Sequence, residues 1–213
     1  MENDVSARGD LREIGKNAVR AEIAQRAVML LDERGFDQTT VEEISAAVGI
    51  SPRSFFRYFA TKEDVAIGDL MPLGRLVEEE LLARPDDEDA WVALRASLAP
   101  LERIADSDPD NVRRATRVAL STAALRAKTI ERHMVWAAAL APIVARRIKG
   151  KQEHAVLAAE AITQSALACL NVATSAWAAG GTQSYSSLID EAFAAVAATV
   201  RPRPLGTTDR SNR

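Results

Sequence analysis

Three features of the sequence predict an all-α fold. Of the 213 residues 47% are hydrophobic, and they recur every three to four positions, often in alanine-rich stretches, as the inner faces of helices do. Glycine and proline are sparse, at 10 and 8 residues. No run of alternating β-branched residues between turns marks a half-buried strand. The length allows one large domain or two small ones with a real core.

The elements follow in order. Residues 1–16 are polar and irregular, and are expected to form a flexible arm carrying Arg8, Arg12 and Lys16. A first helix is predicted over 17–34, with Val19, Ile23, Ala27, Leu30 and Leu31 in one stripe and Gly35 as a left-handed cap. Thr40, followed three residues later by Glu43, is a capping box that opens a second helix. Its Val41, Ile44, Ala47 and Val48 face inward, and Gly49 ends it. Ser51 and Pro52 suit the N-cap and first position of a third helix reaching about Phe59. Thr61 then caps a fourth, with Lys62 and Asp64 in its first turn.

Further helices are predicted over 89–105, 109–121, 123–149, 152–179 and 184–200, separated by breakers such as "LARPDDEDAW" and "DSDPDN". Pro100 and Pro142 are placed to kink or divide two of them. That makes about nine helices: a head over 17–62, a second helical domain over 63–201, and a tail at 202–213 expected to be disordered. Ala159, Ala166, Ala173, Ala194 and Ala197 allow close helix approach, which suits either a seam between two copies or an internal core.

A formal net charge of −3 argues against a uniformly basic nucleic-acid binder, but the local pattern differs. Between Ile44 and Lys62 stand Arg53, Arg57 and Lys62 and no acid, with Glu42, Glu43, Glu63 and Asp64 outside that window. A single cysteine, Cys169, excludes an internal disulfide framework and fits a reducing cytoplasm. The N-terminal segment lacks the apolar core of a signal peptide, and no apolar stretch is expected to span a bilayer. His133 and His154 lack metal-ligand spacing, so no metal or cofactor is expected.

The second and third helices, joined by a tight glycine turn, read as a helix-turn-helix. Phe55 and Phe59 lie at i, i+4 and anchor the short third helix. Arg53 and Arg57, also at i, i+4, point elsewhere, together with Ser54. A guanidinium in that position can pair bidentately with guanine or phosphate. Tyr58 can offer a hydroxyl to phosphate, and Phe56 an apolar contact to a thymine methyl.

The stretch "GFDQTTVEEISAAVGISPRSFFRYFATKEDV", within about 19–70, resembles the N-terminal DNA-binding domain of the TetR family of transcriptional regulators. The resemblance implies a recognition helix carried by Ser51, Pro52, Arg53, Ser54, Phe56, Arg57 and Tyr58. It implies phosphate contact at Lys62 and backbone contact at Thr39 and Thr40. Phe56 departs from the tyrosine common in relatives, and Arg53 from a residue that is often small. The resemblance further implies a homodimer built by the last two helices. It also implies a palindromic double-stranded DNA operator and a small-molecule effector that releases the repressor from it. The C-terminal stretch is similar to the actinobacterial branch of mycofactocin-type regulators, which implies an acyl-CoA-like effector.

Trp91, Leu120, Arg126, His133, Trp136 and Trp177 are the expected effector-binding residues, because pockets are mostly apolar with a few polar groups. Two other readings remain open: an α-helical enzyme using Cys169 or His133, and an adaptor that uses the head to bind protein. No nucleophile, base and orienter triple and no glycine-rich phosphate loop supports the enzyme.

Overall fold

The computed structural model describes residues 2–68 and 71–200. Among them are eleven helices and no strand, so the chain is all-α. They are α1 (Glu2–Arg34), α2 (Val41–Val48), α3 (Pro52–Tyr58), α4 (Lys62–Ile67), α5 (Met71–Ala83), α6 (Ala90–Ser97), α7 (Ala99–Ser107), α8 (Pro109–Leu120), α9 (Ala123–Ala145), α10 (Gln152–Ala178) and α11 (Tyr185–Val200).

Local chemistry sets the boundaries in the head. At the start of α2, Glu43 N donates to Thr40 Oγ1 at 3.2 Å and Thr40 N to Glu43 Oε2 at 2.8 Å, closing the capping box. Gly49 ends the helix at φ 76°, a left-handed conformation that costs a side-chain-bearing residue dearly. Ser51 Oγ then accepts from Ser54 N at 3.1 Å, and Pro52 starts α3 where a missing N–H costs nothing. Thr61 and Asp64 form a second capping box at α4.

Several expectations are corrected. The helix that was to begin near residue 17 begins at Glu2, in place of an irregular arm. The sequence there has the propensity to continue the helix, with Leu11, Arg12, Glu13 and Lys16 among good helix formers. The expected disordered tail, 202–213, lies outside the described residues. Eleven helices replace about nine because α5 was not expected, although Leu73, Val77 and Leu81 lie at helical spacing, and because 89–105 divides at Leu98, with Pro100 in the first turn of α7. Pro142, by contrast, stays inside α9, three residues from its end.

The buried residues form two clusters. In the head, Ile23, Ala27, Leu31, Phe36, Ile44, Phe55, Phe59 and Val65 join Val118 of α8 and Leu125 of α9. The second cluster is built by α5–α7 and α9–α11 around Leu81, Leu94, Leu140, Val144, Leu167 and Ile189. Thus α9 contributes to both, α8 reaches the second through Val112, and Asp32 of α1 accepts from Arg117 at 2.5 Å and stands 3.5 Å from Arg114. Asp64 of α4 meets Lys128 of α9 at 2.8 Å.

Helix α10 passes, on length and composition, for a membrane span, against the expectation that no stretch would. Here it is a core helix. Ala159, Ala166 and Ala173 are buried in it, and it packs against α9, α11 and α8. Those three alanines therefore serve the internal core rather than an outer seam. The apolar face that α10 leaves outside carries Leu157 and Val172, 68% and 63% exposed.

Candidate nucleic-acid interface and effector cavity

The third helix is seven residues long, too short to be stable alone, so its orientation is set by what it buries. Phe55 and Phe59 are buried among α1, α2 and α4, their ring centroids 5.4 Å apart. The guanidinium of Arg20 lies over the Phe59 ring at 5.2 Å and closes the inner side. With that face fixed, Pro52, Arg53, Phe56 and Arg57 fall on the exposed side. Neither Arg53 nor Arg57 makes an ion pair among the described residues; Arg57 lies 5.6 Å from the Tyr58 ring centroid. Of the flanking acids, Glu43 is held by Thr40 and Arg34, and Asp64 by Thr61 and Lys128.

Other expected contact residues are placed differently. Ser51 and Ser54 serve the helix start, their hydroxyls 3.0 Å apart. Thr40 is exposed at its cap. Thr39 is buried, and its hydroxyl donates to the Gly35 carbonyl at 2.8 Å, so that side chain does not face outward. Lys62, expected to touch phosphate, donates instead to the carbonyls of Phe36 at 2.9 Å and Thr39 at 3.0 Å. Its ammonium also lies 4.1 Å from the Phe36 ring centroid. The turn between α1 and α2 has carbonyls without helical partners, and Lys62 satisfies them. It thereby fixes where Thr40 and α2 stand.

A cavity of about 260 Å³ lies between α4, α5, α7, α8, α9, α10 and α11. Leu120, His133 and Trp136 of the expected residues line it, with Ile67, Leu73, Leu101, Val112, Asn111, Thr116, Asn171 and Tyr185. Burial pushes the His133 imidazole below its ordinary pKa, so it is neutral near pH 7. Its ring lies 5.2 Å from that of Trp136. The other three expected residues do not line the cavity. Trp91 stacks on Phe193 and donates to its carbonyl at 3.3 Å. Trp177 stacks on Tyr185 beneath the Arg113 guanidinium. Arg126 is exposed and caps the Leu120 carbonyl at 2.7 Å.

Sequence reasoning missed Ile67, Asn111 and Asn171, because nothing local marks which of several amphipathic faces will meet. It also missed the link from the cavity to the head. Ile67 of α4 lines the cavity, while Asp64, one turn earlier, accepts from Lys128 and Arg132 of α9. Arg132 also donates to the Gly68 carbonyl. The helix that leaves the head is thus clamped to the helix that carries His133 and Trp136.

A helix-turn-helix head with an outward cationic face, joined through α4 to a helical body with a cavity, is the architecture of a ligand-regulated DNA-binding protein. Residues 23–67 match the family model described as bacterial regulatory proteins, tetR family, and residues 88–201, more than half of the chain, match that described as the MftR C-terminal domain. The chain belongs to the TetR family of bacterial regulatory proteins. It is 32% identical over 143 residues to the HTH-type transcriptional regulator TcmR of Streptomyces glaucescens, covering 64% of this chain and 63% of that one. The alignments thus span less than two thirds of the curated relatives matched. Among solved structures, the fatty acid degradation regulator FadR of Bacillus halodurans shares the fold with a TM-score of 0.61 at 20% identity, covering 87% of this chain and 97% of that one. Thermus thermophilus FadR, a repressor solved with lauroyl-CoA, gives 0.53 at 22% identity, covering 86% and 96%.

Proposed function

We propose that this protein is a cytoplasmic, homodimeric transcriptional repressor that binds a palindromic operator and is released by a small-molecule effector. The observation that carries this is the two-faced third helix: Phe55 and Phe59 buried, Arg53 and Arg57 outside and free of ion pairs among the described residues. Core packing asks for the rings but not for the guanidinium groups. One such helix per half-site enters the major groove, with Thr40, Ser51, Ser54, Phe56 and Tyr58 around it.

The dimer forms through α10 and α11. The exposed apolar face of α10 at Leu157 and Val172 supports this, since contiguous exposed apolar surface marks association sites. Residues 17–62 act as the head and 63–201 as the effector and dimerisation domain, with α4 shared between their cores. The effector has an apolar part that fills the cavity; an acyl-CoA-like molecule is the first class to try. An enzyme using Cys169 is disfavoured, because burial pushes that thiol up in pKa and it donates to the Ala192 carbonyl at 3.5 Å.

The test is a footprint on DNA flanking the gene, followed by binding titrations with Arg53→Ala and Arg57→Ala at several salt concentrations. Each variant should lose about 1–3 kcal/mol if its contact is bidentate to a base, with melting temperature unchanged. Wild-type operator affinity in both variants would reject the assigned face.

A further inference from the structure

We propose that the cavity takes its ligand uncharged: a compact apolar body bearing carbonyl or hydroxyl oxygens, which Asn111, Thr116, His133 and Asn171 read by hydrogen bonding. This rests on the effector reading above and narrows it to a chemical class.

The lining contains no Asp, Glu, Lys or Arg. Cations do stand on the same helices, but none lines the cavity, and those nearest in sequence to its lining have other contacts. Arg113 covers the Trp177 ring at 4.6 Å, Arg126 caps Leu120, and Lys128 and Arg132 are held by Asp64. A carboxylate or phosphate inside would lose its hydration and meet no opposite charge, a cost that hydrogen bonds from neutral groups offset only in part.

The polar groups that do line the cavity divide in two. Thr129, Thr174 and Ser175 return their hydroxyls to their own helices, to Leu125, Leu170 and Asn171, and Tyr185 pairs with Thr174 at 2.7 Å. The side chains of Asn111, Thr116, His133 and Asn171 make no hydrogen bond to protein among the described residues. They come from α8, α9 and α10, so one molecule meets donors and acceptors from three helices. The two carboxamides supply both kinds of group, and the imidazole, kept neutral by burial, supplies one of each. The volume, about 260 Å³, lies just below the usual range of about 300–1,000 Å³ for small-molecule sites, which limits the enclosed part to a compact group.

The uncharged group has two sources: a free neutral molecule, or the acyl arm of a thioester whose nucleotide stays outside. Calorimetry on the full chain without DNA separates them. Methyl octanoate is compared with octanoate, 2-acetylnaphthalene with 2-naphthoate, and octanoyl-CoA with methyl octanoate. At least one neutral member should bind at least about tenfold more tightly than its carboxylate. Octanoyl-CoA binding above the ester assigns the acyl arm; binding below it assigns a free molecule. Asn111→Leu and Asn171→Leu, checked for folding by melting temperature, should each weaken the neutral ligand about tenfold. A carboxylate that equals its neutral partner in both pairs, no binding by any member, or full affinity in both variants would overturn the proposal. Selective binding that leaves operator affinity unchanged would keep this inference and remove the effector reading alone.

Discussion

Asp64 Oδ1 and Lys128 Nζ stand 2.8 Å apart across the contact of α4 with α9, and Arg132 reaches the same oxygen at 3.4 Å. The other oxygen, Oδ2, accepts from Thr61 N at 3.1 Å. One carboxylate thus both starts α4 and ties it to the cavity wall. Burial pushes this carboxyl up in pKa, but the hydrogen bonds from Lys128 and Thr61, with the Lys128 charge, prevail and hold it below its ordinary value.

Asp64→Asn should therefore cost about 1–2 kcal/mol at pH 7, between the worth of an exposed pair and that of a buried one. A carboxyl whose pKa is depressed in the folded state stabilises above the unfolded value of about 3.9 and loses that contribution as pH falls through the folded one. Urea unfolding of wild type and variant should show a constant gap from pH 7 to about 5 that closes in more acid solution. A gap that persists at the acid end would mean the charge is not what holds α4.

Two adjacent rings should respond oppositely. Phe55 is fully buried while Phe56 is 55% exposed, edge-on to Phe55 at 5.5 Å. Phe55→Ala should lose about 3–5 kcal/mol of stability, and with it the operator. Phe56→Tyr should stay within about 0.5 kcal/mol of wild type in denaturant titrations. Equal losses would mean that α3 is not oriented by its inner rings.

Gly74 lies against the indole of Trp136, where an added Cβ would come within 2.4 Å of Nε1. Alanine gains about 1 kcal/mol in helix propensity over glycine, but the clash is with a buried ring rather than a flexible end, and overpacking costs about 1–3 kcal/mol. Gly74→Ala should therefore destabilise on balance and shift the tryptophan emission. A more stable variant with unaltered emission would show that α5 and α9 have room to part.

The head was legible because its signals are local. Thr40 with Glu43, Gly49, Ser51 with Pro52, and Thr61 with Asp64 each close hydrogen bonds or fix dihedrals within a few residues, so the caps and the two faces of α3 follow from spacing. The body was less so. Helix α5 was not expected, and the reason its start holds Gly74 lies in the indole of Trp136, far away in sequence. Trp91 and Trp177 look like pocket residues in sequence, yet Phe193 and Tyr185 of α11 occupy them. Lys62 likewise spends its charge on carbonyls of the turn before α2. These partners are distant in sequence, and nothing near each residue announces them.

His133 gives the last prediction. Its imidazole is half-buried beside Trp136 and is held below its ordinary pKa by burial. The unfolded chain takes up a proton near pH 6.5 that the folded chain resists, so stability should fall as pH drops below that value and level off once the folded imidazole also protonates. His133→Gln keeps a neutral polar group and removes the titration. Melting temperatures followed from pH 8 to 5 should then decline less in the variant than in wild type. Parallel declines would show that the ring takes up its proton as readily in the fold as in the unfolded chain, and that the cavity is not the neutral environment its lining describes.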